Sequence, residues 1–284
     1  MVINELLKLG VSMLGDNEYS NPQLESRLIL SKLLDVDKTY LYAYGEKEVS
    51  NEIEDKFLEL LTKRSKGYPF QYIFNEKEFM GLDFYVEEGV LVPRPDTEIL
   101  VEYVLDYINK NHSNETIKVL DLGSGSGAIS LSIAKHAKNT YVYGVDIDNT
   151  PLKVCNINKE RFNLANVEFI KGDMFEPIMN FKKSFHIIAS NPPYIPSTEI
   201  ENLQTEVKEF EPRLALDGGD DGLIFYRRIS FEAKDFLVDD GLLIFEIGFN
   251  QGKEVKEILE NQGFKNIMIL KDLQGLDRVI LGRA

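Results

Sequence analysis

Asn191-Pro192-Pro193-Tyr194 follows the apolar run Phe185–Ser190, which has the length and composition of a buried parallel strand. In an open α/β sheet, ligands sit beyond the carboxyl ends of the strands, so these four residues stand where chemistry is done. Each proline fixes φ and lacks an N–H, which stiffens the backbone and leaves its carbonyls free to accept. The result is a rigid clamp: an amide oxygen from Asn191, a backbone carbonyl and the aromatic face of Tyr194. Such a clamp suits a planar group that carries an NH2, either a carboxamide or the exocyclic amine of a base. Asn and Pro are also ordinary turn residues, and a second motif upstream is what argues for a site.

That motif is Val119-Leu-Asp-Leu-Gly-Ser-Gly-Ser-Gly-Ala128. An apolar strand runs into Gly123, Ser124, Gly125, Ser126 and Gly127, and a helical pattern begins directly afterwards. Glycines allow the tight turn and close approach of a ligand, and the helix N-terminus offers unpaired N–H groups. The spacing also satisfies a dinucleotide fingerprint, so a nicotinamide-dependent dehydrogenase is a competing reading, although it has no use for Asn-Pro-Pro-Tyr. Asp121 lies just before the glycines, where it would repel a pyrophosphate and welcome an amino group. Asp146 ends the next strand, placed to accept from ribose hydroxyls, a role that serves either cofactor. Together the two acids suit a ligand with an ammonium, a sulfonium and a ribose, a description that fits S-adenosylmethionine.

Asp121-Leu-Gly-Ser-Gly-Ser-Gly127 followed by Ser190-Asn-Pro-Pro-Tyr-Ile-Pro196 resembles class I methyltransferases that act on a planar nitrogen. Further segments resemble the PrmC/HemK protein-glutamine methyltransferases over nearly the whole chain. These are Val92-Pro-Arg-Pro-Asp-Thr-Glu98, Glu211-Pro-Arg-Leu-Ala-Leu-Asp-Gly-Gly219, Phe245-Glu-Ile-Gly248 with Gln251-Gly252, and Asp277-Arg278-Val279. The resemblance implies methyl transfer from S-adenosylmethionine, leaving S-adenosylhomocysteine, to the glutamine side-chain amide of the Gly-Gly-Gln tripeptide in class I peptide chain release factors. Asn191, Pro192 and Tyr194 would then be catalytic, with Pro193 completing the substrate clamp. Asp121, the Gly123 to Gly127 loop, Asp146, Asp173, Met174 and Asn191 would hold the cofactor. Many family members carry an aromatic where Met174 stands, and a thioether can also contact an adenine face. Arg94 and Glu98 are read either as residues that order the linker against the site or as solvated charges. Glu246 is read as an acid that ends a central strand and could equally be structural.

Composition narrows the partners. The 284 residues carry a formal net charge of −15 with no lysine- or arginine-rich stripe, whereas duplex DNA binding draws most of its affinity from cations on phosphates. A protein substrate is therefore expected. The runner-up is an adenine-N6 nucleic-acid methyltransferase using the same clamp. No apolar run approaches a membrane span, and the first residues lack the pattern of a signal peptide. The single cysteine, Cys155, sits in a helical pattern and reads as packed; one cysteine forms no internal disulfide and fits a reducing cytoplasm. The three histidines are scattered, so no metal site is expected.

The elements that position these residues form an α/β chain. The resemblance implies the Rossmann-like fold of class I S-adenosylmethionine-dependent methyltransferases, a seven-stranded mixed sheet with a small N-terminal helical domain. Residues 1–77 read as a helical substrate-docking domain, with Asn21 and Ser50 as helix caps. Tyr40, Tyr42 and Tyr44 read as core by default, or else as a docking surface for the protein substrate. Residues 78–94 read as a β-hairpin linker, and 95–284 as the catalytic domain. There, a helix near 97–110 precedes strands near 117–122, 140–146, 166–171, 184–190 and 241–247. The last two strands, near 265–271 and 277–282, are too close for a crossover helix and imply an antiparallel hairpin. The long acidic stretch 195–222 after the clamp has the length of a functional lid.

Overall fold

A computed structural model describes residues 1–15, 21–112 and 115–284. The chain forms two compact units, Met1–Phe74 with Leu203–Phe210, and Asn75–Asn202 with Glu211–Ala284. The smaller unit therefore takes in a segment that the sequence boundaries leave within the catalytic domain.

The small unit holds α1 (Ile3–Leu14), α2 (Pro22–Leu34), α3 (Lys38–Ala43), α4 (Asn51–Ser65), α5 (Phe70–Phe74) and the returning helix α9 (Thr205–Phe210). Asn21 Oδ1 accepts from the Leu24 amide at 3.0 Å and Ser50 Oγ from Ile53 at 3.4 Å, so both caps form where short polar side chains can satisfy first-turn N–H groups. Ile3, Leu6, Ile29, Leu30, Phe57 and Leu61 make its core. Tyr40 packs on that core, but Tyr42 and Tyr44 are exposed, at 68% and 54%. Tyr42 leaves the core because residues two apart do not share a helix face. Tyr44, four residues from Tyr40, packs its ring on that of Tyr40 at 4.5 Å but stays outside the core, at the end of a short helix that buries only Leu41. Arg64 is buried and forks onto Glu25 at 2.6 and 3.1 Å, while its other arm reaches Glu206 of α9 at 2.8 Å. Tyr68 meets Phe210 edge-on at 5.4 Å. These contacts fasten the returning segment to the helical unit.

The large unit begins with the hairpin β1 (Lys77–Phe79) and β2 (Leu82–Phe84), followed by α6 (Thr97–Asn111). The alternation continues as β3 (Ile117–Leu122), α7 (Ala128–His136), β4 (Thr140–Asp146), α8 (Asn149–Arg161), β5 (Val167–Lys171), β6 (Phe185–Ser190), α10 (Ile224–Phe236), β7 (Leu237–Glu246), α11 (Gly252–Asn261), β8 (Lys265–Lys271) and β9 (Asp277–Arg283). The seven strands lie in the order β5-β4-β3-β6-β7-β9-β8, with β9 antiparallel to both neighbours and the other pairings parallel. Two apolar clusters cover the two faces of the sheet. One gathers Val119, Ile187, Leu242 and Ile244 with α6 and α7; the other gathers Leu120, Ile188, Leu243 and Phe245 with α10 and α11. Alternate residues of each strand go to opposite clusters, the period-two consequence of a sheet buried on both sides. Strand order reverses beside β3, between β4 and β6, and the carboxyl ends there open into the crevice where such sheets bind ligands.

Candidate active site

A cavity of about 340 Å³ lies at these strand ends, within the large unit. Its walls include Gly123, Ser124, Gly125 and Ser126 after β3, Asp146 at the end of β4, Asp173 and Met174 after β5, and Asn191, Pro192 and Pro193 after β6. Residues separated by up to 70 positions are thus gathered by strand order alone. The volume falls within the range of small-ligand sites.

The glycine loop takes its shape from backbone constraints. Gly123 has φ of +76° and Gly127 +82°; a Cβ on Gly127 would come within 2.7 Å of Leu131. The Gly123 amide donates to the Val145 carbonyl at 2.9 Å and the Gly125 amide to Asp146 Oδ2 at 2.9 Å. Asp146 Oδ1 accepts from the Asp148 amide at 3.1 Å. Burial raises the Asp146 carboxyl above its ordinary range, against the hydrogen bonds from Gly125 and Asp148.

Asp121 does not line the cavity; it is fully buried beneath the loop. Ser130 donates to its Oδ2 from Oγ at 2.5 Å and from the amide at 3.2 Å, while Oδ1 has no partner. Burial pushes its carboxyl up to about 7, opposed by the Ser130 hydrogen bonds and assisted by the nearby Asp146 charge. An orphaned, buried carboxylate oxygen costs free energy until a donor meets it. A ligand with an ammonium group, ribose hydroxyls and a flat base therefore fits the side chains present, and S-adenosylmethionine is such a ligand.

Asp173 is held by Arg228 of α10, whose Nη1 lies 2.9 and 2.8 Å from its two oxygens. Arg228 and Phe225 also line the cavity. Met174 adopts φ of +49°, in the left-handed region that non-glycine residues enter at some cost.

At the clamp, Ser190 Oγ donates to the Leu122 carbonyl at 2.7 Å, tying the end of β6 to the end of β3. Asn191 Nδ2 donates to Thr97 Oγ1 at 3.3 Å, and Thr97 Oγ1 donates to Glu246 Oε2 at 2.5 Å. Tyr194 is not among the lining residues; its ring packs onto the second apolar cluster, and its carbonyl accepts from Gln251 Nε2 at 2.9 Å. Gln251 also reaches the Gly222 carbonyl at 3.3 Å and accepts from the Gly248 amide at 3.0 Å, bracing the loop behind the clamp. Arg94 Nη2 pairs with the buried Glu211 at 2.6 Å, whereas Glu98 accepts from the Met80 amide at 2.8 Å and so holds the hairpin. Cys155 is buried, with Sγ 3.3 Å from the Gly125 carbonyl.

Thr97 lies in one of the segments that carry the family resemblance, though nothing there gives it a role, and Arg228 had no local signal in the sequence. Their partners lie 149 and 55 positions away, a separation that no spacing rule covers. Among the described residues, no group of histidine, cysteine and carboxylate side chains could hold a metal, and no helix is long and apolar enough to cross a membrane.

Two family models match the chain, the PrmC N-terminal domain over residues 5–74 and a methyltransferase domain over residues 113–263. A release factor glutamine methyltransferase of Clostridium acetobutylicum is 43% identical over 99% of this chain and 98% of its own length. One of Fusobacterium nucleatum is 42% identical over 98% of this chain and 78% of its own length. Among solved structures, a methyltransferase from Pyrococcus furiosus matches with a TM-score of 0.51 at 20% identity, over 72% of this chain and 89% of that one, a likeness of fold.

Proposed function

The chain belongs to the release factor glutamine methyltransferase family, and we propose that it transfers a methyl group from S-adenosylmethionine to the glutamine side-chain amide of the Gly-Gly-Gln motif in class I peptide chain release factors. The observation that carries this reading is that Asn191 of the clamp and the glycine loop with Asp146 line one cavity.

S-adenosylmethionine supplies an activated sulfonium methyl. An amide nitrogen is a poor nucleophile because its lone pair is delocalised into the carbonyl, so the protein's main task is geometry. Asn191 Oδ1 and the Pro192 carbonyl accept the two amide N–H bonds and aim the nitrogen. As positive charge grows on that nitrogen, the two acceptors bind it more tightly than in the ground state. No general base is needed before transfer, since the proton becomes acidic only afterwards. The loop from Gly123 to Gly127, with Asp121 beneath it, takes the ammonium-bearing end of the cofactor. Asp146 takes the ribose hydroxyls, and Asp173 and Met174 the edge and face of the adenine. Pro193 and Tyr194 keep the clamp rigid, and the helical domain docks the protein substrate.

The reading is tested by incubating the protein with labelled S-adenosylmethionine and either a release factor or duplex DNA at moderate salt. Label is expected on the release factor alone. The charge of −15 favours that outcome, because a DNA complex would lack the cations that neutralise phosphates. Adenine labelling at a comparable rate would promote the nucleic-acid reading.

A further inference from the structure

The orientation of the Asn191 amide is fixed by Thr97, which lines the same cavity, and by Glu246 beneath it. A carboxamide can face a neighbour with either end, and only one of them leaves Oδ1 to accept from a substrate. Thr97 is 3% exposed and Glu246 2%. The Thr97 hydroxyl has one proton, and it is committed to the Glu246 carboxylate at 2.5 Å. What remains on Thr97 Oγ1 toward Asn191 is a lone pair, which can meet only the NH2 end of the amide, as it does at 3.3 Å. Glu246 itself lies one step beyond the ladder pair Ser190 and Phe245, beside Asn191 across the sheet, and an ionised carboxylate likewise accepts and cannot donate.

We propose that Thr97 and Glu246 are positioning residues, a relay that holds Asn191 with its amide oxygen toward the substrate nitrogen. This rests on the clamp reading of Asn191. The plainer alternative is that the pair only anchors the first turn of α6 to the sheet. That function would be served by any hydrogen bond and is indifferent to the direction of the proton; the relay is not.

Glu246 must be ionised for the relay to point one way. Burial pushes its carboxyl up to about 7, opposed by the hydrogen bonds from Thr97 and Asn191 and by the Arg278 charge from β9, and assisted by Asp96 ahead of α6. Tyr194 lies within electrostatic reach of the carboxyl, and the Tyr226 hydroxyl of α10 donates to the Glu246 carbonyl at 3.0 Å. A protonated Glu246 can donate to Thr97, which frees the Thr97 proton to face Asn191 and removes the bias on the amide.

The experiment measures kcat on a release factor at saturating cofactor for the wild type, Thr97→Val, Thr97→Ser, Asn191→Ala and Asn191→Ala/Thr97→Val, together with the affinity of each for S-adenosylhomocysteine. Thr97→Val, isosteric but lacking the hydroxyl, should lower kcat about tenfold with cofactor affinity unchanged. Thr97→Ser should keep most of the rate. In the Asn191→Ala background, Thr97→Val should cost nothing further, because the group it orients is gone. Equal losses in both backgrounds, or wild-type kcat in Thr97→Val, would overturn the relay. Wild-type kcat in Asn191→Ala would instead overturn the clamp reading beneath it. Should Thr97→Val fail to fold, the pH profile of kcat decides. The wild type should lose rate as pH falls below about 7 and Glu246→Gln should lack that limb, whereas a flat wild-type profile contradicts the relay.

Discussion

Ser130 Oγ donates to Asp121 Oδ2 at 2.5 Å, and the other oxygen of that carboxylate is buried with no partner. One half of the acid is thus spent on holding α7 against β3, and the other half is left without a partner beneath the glycine loop. The carboxyl sits near a pKa of about 7 chiefly because it is buried. A cofactor ammonium favours the ionised form, so binding below that value must expel a proton. Affinity for S-adenosylhomocysteine should therefore weaken by about tenfold per pH unit below 7 and level off above about 8. Calorimetry across that range should find the slope in the wild type and none in Asp121→Asn.

Asp146 gives a separate test of the ribose assignment. It already accepts from Gly125 and Asp148, so its oxygens are aimed before any ligand arrives. Asp146→Ala should weaken cofactor binding by about 1.5–3 kcal/mol, the range for hydrogen bonds to a charged group, and should reduce turnover at saturating cofactor much less. Unchanged affinity in a titration would remove Asp146 from the site.

Glu246 should leave a mark on stability as well as on rate. Its carboxyl ionises near 4.5 in an unfolded chain and near 7 in the fold. Below 4.5 both states are protonated and burial carries no penalty. As pH rises to 7 the unfolded chain ionises first, so stability falls, by about 3 kcal/mol from this group. Denaturant melts at about pH 5 and pH 8 should show the wild type losing more stability than Glu246→Gln over that interval. Equal losses would mean that the carboxylate is not buried in solution.

The clamp divides its labour between Asn191 and Tyr194. Asn191→Ala should lower kcat on the order of 10²–10³, by analogy with the loss of one preorganised oxyanion-hole donor. Asn191→Asp keeps an acceptor but adds charge near the sulfonium, which should tighten cofactor binding while slowing transfer. Tyr194→Phe should be mild, because its ring packs on the core and its carbonyl, not its hydroxyl, takes the Gln251 hydrogen bond. A severe loss in Tyr194→Phe would assign a role to the hydroxyl.

Much of the fold was legible because local rules decide it. Asn21 and Ser50 cap helices, β3 to β6 fall within a residue of the apolar runs that announce them, and the short gap between β8 and β9 forces their antiparallel pairing. That Asp146, the glycine loop and Asn191 would line one cavity was legible because each stands at or just after a strand end, and strand ends meet in a parallel sheet. Long-range pairings were hidden. Thr97 and Glu246 each lie in a segment that carries the family resemblance, but nothing in either segment pairs them, and Arg228 reads as a solvated helix cation until Asp173 is brought to it. The return of α9 to the helical unit depends on Arg64 and Glu206, 142 positions apart. Tyr42 and Tyr44 misled in the opposite direction: Tyr44 does pair with Tyr40, but a helix this short buries neither Tyr42 nor Tyr44 in the core.

The most direct test is peptide mapping by mass spectrometry of a release factor incubated with the protein and S-adenosylmethionine. The peptide bearing Gly-Gly-Gln should gain the mass of one methyl in place of hydrogen, and fragmentation should locate it on the glutamine side chain, with the same peptide unmodified when Asn191→Ala replaces the wild type over the same interval. A methyl on any other residue, or none under conditions where the cofactor binds, would contradict glutamine methylation by the Asn191 clamp.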